Sequence, residues 1–162
     1  MTKLDELIKR LSEERGESDV MPEDFEAFLK DFVPNHLLKE DTFQKAMGVT
    51  EEEMRAIYRE AYFHYQKEEY EKASHLFRAL AILNPFRPEY WLGLGGSLQL
   101  MKEFAKAVEA YGVLVHLSPE DPTPHQHAYE CYQELGNKDD AELALKEVER
   151  LSQPERPYAA RS

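Results

Sequence analysis

The chain has 162 residues and carries 32 Asp+Glu against 20 Lys+Arg, a formal net charge of −12. This negative balance, with no basic stretch, repels phosphate backbones and excludes nucleic acid as a partner class. A lone cysteine, Cys131, has no internal disulfide partner and suits a reducing cytoplasm, and the opening MTKLDELIKRLSEE holds no unbroken apolar run, so neither a signal peptide nor direct membrane insertion is expected.

The first predicted elements form an amino-terminal helical arm over residues 1–53. Leu4, Leu7, Ile8 and Leu11 share one helical face, and Phe25, Phe28, Leu29 and Phe32 share another after Pro22, which suits a helix start. The polar run RGESDV separates the two. Both faces need an apolar partner. Folding back on the next element as a cap and pairing with a second copy would bury the same stripe.

From residue 54 onward the sequence repeats. Ala73, Ala107 and Ala141 fall 34 residues apart, as do Phe77, Tyr111 and Leu145, then Leu80, Leu114 and Val148, then Leu83, Leu117 and Leu151, with Pro85 and Pro119 in the same register. A period of 34 with a small residue, an aromatic four places later and a closing proline is the tetratricopeptide-repeat signature. The middle unit is the fullest, with Trp91, Leu94, Gly95, Ala107, Tyr111 and Pro119. The fold expected is all-α: three repeats (54–87, 88–121 and 122–153) stacked as a right-handed superhelix. Their helices are expected near 54–66, 70–83, 88–101, 104–117, 122–135 and 138–151.

The physics accounts for these residue types. Gly95 and Ala107 sit where paired helices approach closely, and the prolines end the second helix of a pair. Thr50 and Glu53 form a capping box before the first helix, and Gly136-Asn137 makes the third interhelical turn. Tyr129 stands where a small residue is expected, which marks the third repeat as a terminal one. The tail, residues 154–162, holds two prolines and no periodicity, and is expected to be disordered.

The concave surface of such a stack is lined by the first helix of each pair. The groove-facing places are Tyr58, Tyr62 and Tyr65 in the first repeat, Leu92, Gly96 and Gln99 in the second, and Gln126, Glu130 and Gln133 in the third. Three tyrosines at this spacing make an aromatic platform with polar tips, fit for an extended apolar peptide; the bland alternative puts some of them in the core. Other constellations carry less. Gly93-Leu94-Gly95-Gly96 lies within a helix and lacks the third glycine of a nucleotide loop. His125 and His127 are two apart on a helix, so with Cys131 they do not converge on a metal. His64, His75 and His116 are scattered, and the pairs Glu68-Glu69 and Asp139-Asp140 read as solvated charge at turns. No convergent acid, base or metal site is expected, hence no cofactor and no enzyme.

The order of parts resembles the class II chaperones of bacterial type III secretion. The resemblance rests on the I-Y-x-x-A-Y-x-x-Y run from Ile57 to Tyr65, Y-E-x-A from Tyr70 to Ala73, F-R-A-L from Phe77 to Leu80, W-L-G-L-G-G from Trp91 to Gly96 and H-A-x-E-C from His127 to Cys131. It covers about residues 45–151. It implies a bacterial cytoplasmic chaperone that holds an extended, proline-containing segment of hydrophobic translocator proteins in the concave groove, with the amino-terminal helices forming a homodimer. Two departures stand out: Lys67-Glu68-Glu69 where the family commonly has a glycine, and Tyr129. The competing function is a general scaffold or adaptor in a cytosolic assembly. The version that clamps a C-terminal carboxylate needs Lys, Asn and Arg, yet the matching places hold Tyr58, Tyr62, Gly93, Thr123 and His127.

Overall fold

A computed structural model describes residues 42–153. The apolar faces of Leu4, Leu7, Ile8 and Leu11 and of Phe25, Phe28, Leu29 and Phe32 lie outside the described residues, as does the tail 154–162. The described residues form seven helices and no strand: α1 (Phe43–Ala46), α2 (Glu51–Gln66), α3 (Tyr70–Leu83), α4 (Pro88–Leu100), α5 (Phe104–Leu117), α6 (Thr123–Glu134) and α7 (Lys138–Ser152). They divide into two compact units between Tyr90 and Trp91, inside α4.

In the unit before this division, α2 pairs with α3. The capping box starts α2 at Glu51, earlier than the expected 54. The Thr50 side chain accepts from the Glu53 N–H at 3.2 Å, and the Thr50 N–H donates to Glu53 Oε2 at 2.8 Å. The Thr50 N–H, and after it the Thr50 hydroxyl donating to the same Oε2 at 2.9 Å, draw the Glu53 carboxyl below its usual range. Met54, Ile57 and Ala61 of α2 and Ala73, Leu76, Phe77 and Leu80 of α3 are buried. The short α1 is tied in by Gln44, whose amide donates to Glu51 Oε1 at 2.7 Å and accepts from Asn84 Nδ2 at 3.3 Å.

In the unit after it, α5 lies against α6 and α6 against α7. Trp91, Leu94, Leu98, Ala107, Ala110, Tyr111, Leu114 and Cys131 are buried. The aromatic and its small partner trade volume along the register. Gly95 faces Tyr111 in the second repeat, while the third holds Tyr129 and the smaller Leu145 at the corresponding places. Tyr129 and Leu145 are both half-buried.

The prolines act through their predecessors. Asn84, the C-cap of α3, is extended (φ −144°), and Ser118, the C-cap of α5, also lies outside the helical region (φ −136°), because a residue before proline is kept out of that region. The three interhelical turns share one construction. Glu69, Glu103 and Asn137 donate their backbone N–H to the carbonyls of His64, Leu98 and Tyr132 at 3.0, 2.9 and 2.9 Å. The preceding residue is left-handed each time: Glu68 at φ 60°, Lys102 at 63° and Gly136 at 72°. This is the Schellman closure, which prefers glycine, and only the third turn has it.

One member of each acidic pair is hydrogen-bonded at its turn. Glu69 bonds His64 and lies 3.6 Å from Lys72. The His64 hydrogen bond is the first cause that holds its carboxyl below the usual range. Asp140 is bonded by Asn137, whose side chain caps α7.

Candidate peptide-binding faces

The tyrosines of α2 differ in what holds them. Tyr58 is half-buried, edge-on to Phe77 and tilted against Tyr90, each at 5.9 Å between ring centres. Tyr65 is half-buried and edge-on to Tyr70 at 5.5 Å. Burial first, and then the Glu89 carboxylate for Tyr58 or the phenols of Tyr70 and Tyr62 for Tyr65, raises these phenols above their usual range. Both therefore stay O–H donors at neutral pH. Tyr62, between them in sequence, is 49% exposed. The platform is thus two anchored rings flanking one open ring, and Tyr58 contributes to the core as well as the face. Phe63 is equally exposed, with Lys67 Nζ 5.6 Å from its ring centre. Sequence reasoning passed over Phe63, although an aromatic beside Tyr62 on an otherwise charged turn was a visible signal.

In the second unit, three of the expected polar residues come together. Gln99 Nε2 donates to Glu130 Oε2 at 3.0 Å, and Gln126 Nε2 donates to Glu130 Oε1 at 3.2 Å. The Tyr111 hydroxyl donates to Gln99 Oε1 at 2.7 Å. His127 stacks on Tyr111, with ring centres 5.1 Å apart and planes 14° apart, and its Nδ1 lies 3.7 Å from Glu130 Oε2. Tyr111 is completely buried, so its hydroxyl is the buried end of this chain. The sequence reading took Tyr111 only as packing. The signal lay in tyrosine replacing the phenylalanine of the repeat pattern, which adds a hydroxyl needing a partner.

Gln133 does not join this group. Its Nε2 donates to the Tyr129 hydroxyl at 2.7 Å. Both line a separate hollow of about 410 Å³ between α6 and α7, with Tyr132, Ala141 and Leu145. Leu92 is 41% exposed on α4, and Gly96 is half-buried on the same helix. Cys131 is fully buried, and burial first, then the charges of Glu130 and Glu134, pushes its thiol up to about 11. It is a packing residue rather than a nucleophile at neutral pH. Among the described residues, no three His, Cys, Asp or Glu side chains come together as a metal-binding group, and no helix is long and apolar enough to cross a membrane.

What these faces offer is shape and hydrogen bonding: an open aromatic edge on α2, and on α4 and α6 a polar row ending in a carboxylate. The tetratricopeptide-repeat family matches residues 57–85 and 88–121. The chain is 29% identical to low calcium response locus protein H of Yersinia pestis over 97 residues, which are 60% of this chain and 58% of that protein. It is 31% identical to chaperone protein SicA of Salmonella typhimurium over 90 residues, 56% of this chain and 54% of SicA. It thus spans little more than half the length of these curated relatives. Among solved structures, it is similar to a chain of the CopN–Scc3 complex, with 33% identity, 97% of this chain and 92% of that chain covered, and a TM-score of 0.75. It is also similar to SycD of Yersinia enterocolitica, solved with a peptide of the translocator YopD, with 26% identity, coverage of 69% and 86%, and a TM-score of 0.63.

Proposed function

We propose that this chain, which belongs to the tetratricopeptide-repeat class II chaperones of type III secretion, binds an extended segment of a hydrophobic translocator protein on the first helices of its repeats. Binding there keeps the translocator soluble and competent for secretion. The observation that carries this reading is the likeness to SycD, whose structure was solved in complex with a peptide of the translocator YopD. The open ring of Tyr62 between two anchored tyrosines supports it, because peptide interfaces draw most of their energy from a few aromatic anchors.

The roles follow from the chemistry of each face. Tyr58, Tyr62 and Tyr65 take apolar side chains, with Leu92 and Gly96 giving close approach on α4. Gln99, Gln126 and Glu130 meet polar groups of the segment, and Gln133 serves it from the neighbouring hollow. The part of the expected arm that precedes α1, residues 1–41, pairs two copies into a homodimer, the repeats act as the binding domain and residues 154–162 as a tail. The chain works in the bacterial cytoplasm by binding alone, without catalysis or a cofactor.

A second reading is favoured by the likeness to a chain of the CopN–Scc3 complex, which covers 97% of this chain. On that reading the cargo lies outside the translocators, and the chain is closer to an adaptor. Co-expression with translocator proteins of a type III secretion system, followed by affinity purification, separates the two. Soluble translocator recovered only in the presence of this chain supports the first reading. Translocators that stay insoluble, with another secreted protein recovered in their place, support the second.

A further inference from the structure

The polar row on α4 and α6 has a fixed direction. A carboxylate only accepts hydrogen bonds, so the amides of Gln99 and Gln126 must turn their NH2 groups toward Glu130. Gln99 Oε1 is then directed at Tyr111, whose hydroxyl must donate to it. Every donor in the row points toward Glu130, and the row ends there with acceptor capacity to spare. A carboxylate offers about four acceptor sites, and two are taken by neutral amides.

The charge itself is not balanced. Some other carboxylates have a cation one turn away: Glu103 has Lys106 at 3.1 Å, Glu142 has Lys146 at 2.8 Å and Glu147 has Arg150 at 2.9 Å. Around Glu130 the same places hold Gln126, His127, Gln133 and Glu134. Among the described residues, no Lys or Arg lies within ion-pair distance of it, and His127 Nδ1 at 3.7 Å has no hydrogen-bond partner. The Glu130 side chain is 45% exposed, so a ligand can reach it. Beside it, the imidazole stacked on Tyr111 presents a flat ring, a surface on which a lysine stem or a guanidinium plane can lie.

Resting on the proposed binding of an extended segment to this face, we infer that Glu130 selects for cargo, accepting a lysine or arginine side chain that lies beside the apolar anchors of the segment. Gln99 and Gln126 are positioning residues that hold the carboxylate toward the ligand. The preference is for a cation at one place in the segment, beyond any general attraction of an acidic protein for basic peptides.

The test uses the full chain and short synthetic peptides with an apolar core, in which one position after another carries Lys, its neutral isostere norleucine, or Glu. Affinities are read by fluorescence polarisation. At one position, the Lys peptide should bind about tenfold more tightly than the norleucine peptide, a difference of about 1.4 kcal/mol, and the gap should narrow as salt is raised. Glu130→Gln should close that gap, bringing the Lys and norleucine peptides to the same affinity. Equal affinity for Lys and norleucine at every position overturns the inference and leaves the proposed function standing. So does a preference that survives in Glu130→Gln. Absence of binding to any peptide overturns both. Should Glu130→Gln fail to fold, the position-by-position comparison on the wild-type chain decides: a preference confined to one position supports the inference, and a uniform one overturns it.

Discussion

A methyl group added to Gly95 would lie 2.6 Å from Cε1 of the Tyr111 ring, closer than carbon atoms approach in folded proteins. Tyr111 cannot easily yield, because it is fully buried and its hydroxyl is bonded to Gln99. Gly95→Ala should therefore destabilise the chain by about 1–3 kcal/mol through overpacking, despite the better helix propensity of alanine. Pairing it with Tyr111→Leu, which imitates the volume trade between Tyr129 and Leu145, should cost less than the sum of the two single changes. Chemical denaturation of the three variants measures this; additive costs would show that the two residues are not coupled.

Ala107 is fully buried one turn before Tyr111, at the repeat position reserved for a small side chain. Ala107→Leu should cost about 1–3 kcal/mol and lower the melting temperature without changing helical content far below the transition. An unchanged melting temperature would contradict the assignment of the 34-residue register.

The three interhelical turns make a comparative prediction. Glu68 and Lys102 hold the left-handed conformation without being glycine, a cost of order 1 kcal/mol per residue. Glu68→Gly and Lys102→Gly should each leave stability unchanged or raise it by up to about 1 kcal/mol, whereas Gly136→Ala should lower it. The glycine gain is partly offset by the greater freedom of the unfolded chain. Denaturation midpoints for the three variants suffice, and a loss of stability in both glycine variants would contradict the turn assignment.

These turns also mark what the sequence could not tell. The register of Ala73, Ala107 and Ala141 and the prolines at 85 and 119 were enough to locate the helix pairs, because small residues and helix stops are forced by close packing and backbone sterics. The left-handed positions at Glu68 and Lys102 were hidden, since their conformation is imposed by the helices on either side rather than by their own preference. The candidate site was half legible. Repeat register put Gln99, Gln126 and Glu130 on the first helices of their repeats, at places expected to face the groove. It could not show that Gln133 turns to Tyr129, that Tyr58 is held by Phe77 and Tyr90, or that the Tyr111 hydroxyl joins the row. Those depend on contacts between helices, which no periodicity encodes.

The arm carries the dimer in the proposed organisation. Removing residues 1–41 keeps α1, whose Gln44 is bonded to Glu51 and Asn84, and should leave a folded helical monomer. Sedimentation of the full and shortened chains reads the outcome. An identical oligomeric state in both would assign the apolar faces of the arm to capping.

The central claim is that cargo binds on the first helices of the repeats with Tyr62 as its open aromatic anchor. Titration of a labelled translocator segment against the wild-type chain and against Tyr62→Glu tests it most directly, with Tyr62→Glu, Tyr65→Glu as a stronger block. Tyr62 is 49% exposed, so its replacement should leave melting nearly intact, while Tyr65, which is packed on Tyr70, should cost some stability. The account predicts a loss of at least about 2 kcal/mol in binding for folded Tyr62→Glu, the scale of an interface anchor, and no measurable binding for the double variant. Wild-type affinity in a folded double variant would contradict it and move the cargo to another surface.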